Sequence, residues 1–108
     1  MDPLRQQQFD HLTSAKTQIL AWAEERGVRL VRVEFIVPFV ESAFYMTVWM
    51  FYESNTDAGW AEPLRDEFLR LLANGGYPHE WLSQVAFAFD SHENVVRDYE
   101  GNYFHRLR

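Results

Sequence analysis

The chain has 108 residues, close to the usual size of one domain, and 47% of them are hydrophobic and 17% aromatic, which excludes a disordered chain. Its 16 acidic residues outnumber 10 basic ones, for a net charge of −6, so nucleic acid and anionic membrane surfaces are poor partners and a basic protein is a better one. Cysteine is absent, which removes disulfide frameworks, thiolate metal sites and cysteine nucleophiles together.

The N-terminal sequence Met-Asp-Pro-Leu-Arg-Gln-Gln-Gln has no basic region followed by an apolar one, so no secretory signal is expected and the chain is placed in the cytoplasm. The longest apolar-looking run, Ala43 to Tyr52, is about half of the ~20 residues that a membrane-spanning helix needs. No membrane partner is expected.

From Asp2 to Arg26, Leu4, Leu12, Ala15, Ile19, Trp22 and Ala23 follow the spacing of one helical face. Asp2 suits the cap, Pro3 the first turn and Gly27 the stop. At Leu30 the period drops to two. Val31, Val33, Phe35 and Val37 alternate with Arg32, Glu34 and Ile36, which predicts a strand ended by Pro38. A second β-rich run, Ala43 to Glu53, follows a short connection and suggests a hairpin. The polar cluster 54–59 separates it from a helix over Glu62 to Asn74, with Pro63 near its start and Gly75-Gly76 after its end. Val85, Phe87 and Phe89 alternate with Ala86 and Ala88 in a third strand ending at Asp90. Ser91 can cap a short helix through Tyr99, the favoured reading, or Asn94-Val95 can open another strand after a turn, and Tyr103 to Leu107 reads as a last strand.

The expected fold is one α+β domain over residues 1–108, a two-layer sandwich with two helices on one face of a four-stranded, mainly antiparallel sheet. Its order is α-β-β-α-β-(short α)-β.

No catalytic constellation is visible. The histidines, His11, His79, His92 and His105, lack the spacing of a metal site, and neither Gly-x-Ser-x-Gly nor Ser-x-x-Lys occurs. Gly75-Gly76 follows a helix, which suits a helix stop rather than a phosphate cradle. No metal or cofactor is expected.

The central run is apolar on both faces. Phe44, Met46, Val48, Met50 and Tyr52 point one way and match the other strands' apolar positions, so they belong to the core. Tyr45, Thr47, Trp49 and Phe51 point the other way, beside Arg32, Glu34, Ala86, Ala88, Tyr103 and His105. A face of large aromatics, alanines and a few charges suits a protein interface, although loops or the C-terminal segment can also fold over it. The candidate partner-binding residues are Glu34, Glu41, Tyr45, Trp49, Phe51, Glu53, Tyr103 and His105.

The aromatic strand Tyr45-Met46-Thr47-Val48-Trp49-Met50-Phe51-Tyr52 and the later Glu80-Trp81-Leu82-Ser83-Gln84-Val85-Ala86-Phe87-Ala88-Phe89 resemble small bacterial immunity proteins of the YezG-like kind. The resemblance covers the hairpin, the second helix and the third strand. It implies a non-catalytic cytoplasmic protein that neutralises a toxin by binding it, and an acidic binder suits a basic toxin. Two other readings stand beside it: a homodimer that buries the aromatic face against itself, and a small enzyme or ligand-binding domain built on His105 and a nearby carboxylate.

Overall fold

The computed structural model describes residues 2–37 and 44–108. Helix α1 (Pro3–Glu25) begins where the Asp2 carboxylate accepts the Leu4 N–H at 2.9 Å. It ends at Gly27, whose φ of 73° lets Val28 N–H return to the Ala23 carbonyl. Gln8, Leu12, Ala15, Ile19 and Ala23 form its buried stripe.

Strands β1 (Leu30–Ile36) and β2 (Met46–Tyr52) pair antiparallel, as the predicted hairpin requires. A 3-10 segment (Asn55–Trp60) and helix α2 (Ala61–Asn74) then carry the chain across the sheet, and a one-turn helix α3 (His79–Leu82) leads into β3 (Val85–Ser91). Because this crossover returns the chain to the same end, β3 lies parallel to β2. The sheet is three-stranded and mixed, in the order β1-β2-β3.

Two expectations need correction. The segment 103–107 is not a fourth strand: after helix α4 (His92–Tyr99), Tyr103–Arg106 forms the one-turn helix α5. Asn102 accepts the His105 N–H at 3.1 Å, a capping bond that favours a helical turn over extension. The mainly antiparallel four-stranded sheet is therefore replaced by one antiparallel and one parallel pair.

The predicted alternation in β2 holds. Met46, Val48, Met50 and Tyr52 join Leu12, Ile19, Leu64, Phe68 and Leu72 in the main core, between the sheet and α1 with α2. Phe51 points to the opposite face and forms a second small core with Val95 and Tyr103, backed by Trp49, Tyr99 and Leu107. The C-terminal helices thus add a partial third layer. In β1 the register slips at Val31, so that Leu30 pairs with Tyr52 and Arg32 with Phe51. This bulge moves Leu30 into the core position and leaves Val31 exposed, against its expected place in the inward row.

Candidate functional site

The outer face of the sheet, opposite α1 and α2, is built from Arg32, Glu34 and Ile36 of β1, Thr47, Trp49 and Phe51 of β2, and Ala86, Ala88 and Asp90 of β3. The chain's own C-terminus covers one end of it. Phe51 is fully buried there, edge-on to Tyr103 at 4.8 Å between centroids and stacked on Trp49 at 5.6 Å.

Charged groups lock this cover in place. Ser91 caps α4 by accepting the Asn94 N–H, and the preceding Asp90 receives Arg106 Nε at 2.6 Å, Asn94 Nδ2 at 2.7 Å and the Ser91 N–H at 2.8 Å. Burial alone pushes the Asp90 carboxyl up, but these three hydrogen bonds and the Arg106 charge outweigh it and hold it below the usual carboxylate value. The Arg106 guanidinium also lies over the Trp49 ring at 4.5 Å, so one side chain clamps α5 to both β2 and β3.

On the other side of the cover, Arg32 lies over the Tyr103 ring at 4.2 Å and bonds Glu34 at 2.6 Å. The Tyr103 hydroxyl is 2.7 Å from His92 Nδ1, and the two rings stack. Burial pushes the Tyr103 phenol up, with Arg32 opposing the rise and Glu53 and Asp90 adding to it. Val31, Arg32, Glu53, His92 and Tyr103 line a surface cleft of about 270 Å³ here.

The opposite end of the outer face is uncovered by any of the described helices. Tyr45 is 57% exposed and Ile36 37% exposed, Ala86 is open, and Thr47 lies between them half-buried. Phe44, pointing the other way, is held in the core by a stack on Trp81 at 3.9 Å. That anchor fixes the outward direction of Tyr45.

The sequence-derived candidates therefore separate into groups. Trp49, Phe51 and Tyr103 come together where α5 meets the sheet, Phe51 and Tyr103 buried and Trp49 half-buried against them. Glu34 is engaged by Arg32, and Glu53 is exposed beside the His92 cleft. His105 is exposed on α5 and does not line that cleft, and Glu41 lies outside the described residues. Only Tyr45 joins the open end of the face. The sequence names Asp90 only as a strand end and His92 only among histidines without metal spacing, and does not single out Arg106, because their contacts span the third strand and the C-terminus; the Ser91 cap is the local sign that α4 begins there.

Among the described residues no group of three or more histidines, aspartates or glutamates is placed to hold a metal ion, and no helix is long and apolar enough to cross a membrane. Comparison with known proteins adds no relative: no family model matches the chain, and neither a curated protein nor a solved structure is significantly similar to it.

Proposed function

We propose that this protein is a non-catalytic protein-binding domain of the immunity type, which neutralises a basic toxin in the cytoplasm by covering it. The observation that carries the reading is the end of the outer sheet face that none of the described helices covers, where Tyr45, just before β2, stands exposed near Ile36 of β1. Tyrosine presents a large contact area at low entropic cost, and the stack of the neighbouring Phe44 on Trp81 anchors its backbone before the partner arrives. The other end of the same face is already filled by the chain's own aromatic cluster, which stiffens the platform.

The net charge of −6 supports a basic partner, because complementary charge speeds encounter and rejects acidic proteins. The resemblance of the aromatic strand and the third strand to YezG-like immunity proteins supports a toxin as that partner. The test is direct mixing with basic toxin candidates encoded beside this gene, followed by gel filtration and by co-expression in a toxin-sensitive host. A stable complex and relief of toxicity are expected. Absence of a complex with every such candidate would overturn the reading.

A further inference from the structure

The two edges of the sheet are built differently. On β1, the edge is blunted by the bulge at Val31 and by the charged pair Arg32 and Glu34. Over residues 85–89 the β3 edge has none of these devices; the one charge of the strand, Asp90 near its end, is held by Arg106. Val85-Ala86-Phe87-Ala88-Phe89 carries no charge, no proline and no register shift, and among the described residues no strand pairs with its outer side. Ala86 is exposed, and Val85, Phe87 and Phe89 are only half-buried although they face the main core. A strand in this condition presents free backbone donors and acceptors to another strand.

We propose that the occupant of this edge is β3 of a second copy, paired antiparallel about a two-fold axis through Phe87, giving a continuous six-stranded sheet. The sequence of the strand is its own complement in that register. Phe87 meets Phe87 of the second copy, Val85 meets Phe89, and Ala86 meets Ala88, so aromatic and branched residues pair on the inner face and alanines on the outer. Asp90 falls opposite Gln84, and no like charges meet along the strand. Centring the axis on Ala88 instead would keep Ala88 against itself and Phe87 against Phe89, but would set Asp90 opposite Ala86 and Val85 opposite Ser91. The junction is one short strand per copy, so the dimer belongs to the small-interface class of below about 1,200 Å² and dissociates on dilution. It uses the backbone edge of β3 rather than the side chain of Tyr45, and Ala86 is common to the dimer junction and the open end of the outer face.

Sedimentation of the full chain from roughly 5 to 500 µM is expected to show a monomer–dimer equilibrium. The outer-face pair supplies the decisive variants. Ala86→Lys with Ala88→Lys sets lysine against lysine at two positions and should leave a monomer throughout. Ala86→Lys with Ala88→Glu sets lysine against glutamate at both and should restore the dimer. Circular dichroism checks that each variant is folded. Amide exchange of the unmutated protein gives a readout free of any folding defect: protection of 85–89 should rise with concentration. A monomer at every concentration, a dimer surviving in the folded double-lysine variant, failure of the folded lysine–glutamate variant to recover it, or exchange at 85–89 independent of concentration would each overturn the proposal.

Discussion

Arg106 Nε sits 2.6 Å from Oδ2 of Asp90, joining the final turn of the chain to the end of β3 across sixteen residues of sequence. Both side chains are largely buried, and the guanidinium also covers Trp49. Truncating Arg106 leaves a partly buried carboxylate without its main counter-charge. Arg106→Ala is therefore expected to destabilise the protein by about 2 kcal/mol, as urea unfolding followed by circular dichroism will show. Arg106→Lys should recover only part of the loss, because lysine keeps the charge but not the planar contact with the indole.

The same carboxylate predicts an acid-sensitive step. Asp90 is held below its ordinary value of 3.8, so its contribution to stability is fully present above that value and is lost as pH falls through the lower folded-state value. The Asp90→Asn variant, which lacks this titration, should be less stable than the parent at neutral pH and lose less further stability on acidification. Parallel acid limbs in the two proteins would remove Asp90 as a source of the acid sensitivity.

Tyr52 offers the opposite case. It is 2% exposed, and its hydroxyl is buried with no hydrogen-bond partner among the described residues. Burial, with the Asp57 charge behind it, pushes the phenol up from 10.0 to about 12. Tyr52→Phe removes the unsatisfied group while keeping the ring stacked on Phe89, and should raise stability by about 1 kcal/mol at neutral pH. Between pH 10 and about 12 the unfolded phenol ionises while the folded one resists, so the parent loses stability with rising pH there and the phenylalanine variant loses less. Thermal melts across that range measure both effects.

Local signals in the sequence located most elements. Asp2, Gly27 and Ser91 mark helix ends through bonds made within a few residues, and the structure shows those bonds. The inward row of β2 was also legible, because alternation needs only a period of two. What was not legible depends on distant partners. The parallel pairing of β2 and β3 follows from how α2 crosses the sheet, and the bulge at Val31 follows from the register with Phe51. Helix α5 is one turn long, too short to display a helical period, so Tyr103 and Leu107 read as strand residues. For the site, the aromatic face was legible as unusual, but its division into a self-covered end and an open end was not. That division is set by Arg106, Tyr103 and Val95 reaching back over β2.

The division gives Trp49 of β2 and Tyr45, just before that strand, opposite roles. Trp49 packs beneath the C-terminal helices, so Trp49→Ala should cost about 2 kcal/mol or more in stability. Any loss of partner binding in that variant would follow the damaged fold. Tyr45 has most of its surface in solvent, so Tyr45→Ala should change stability by no more than about 0.5 kcal/mol. If the open end of the sheet receives the toxin, the same substitution should weaken the complex roughly tenfold or more. Calorimetric titration of the folded Tyr45→Ala protein against the toxin separates these effects. Unchanged affinity would move the contact surface away from this end of the sheet, because the outward aromatic side chains of β2, Trp49 and Phe51, are both less exposed to a partner.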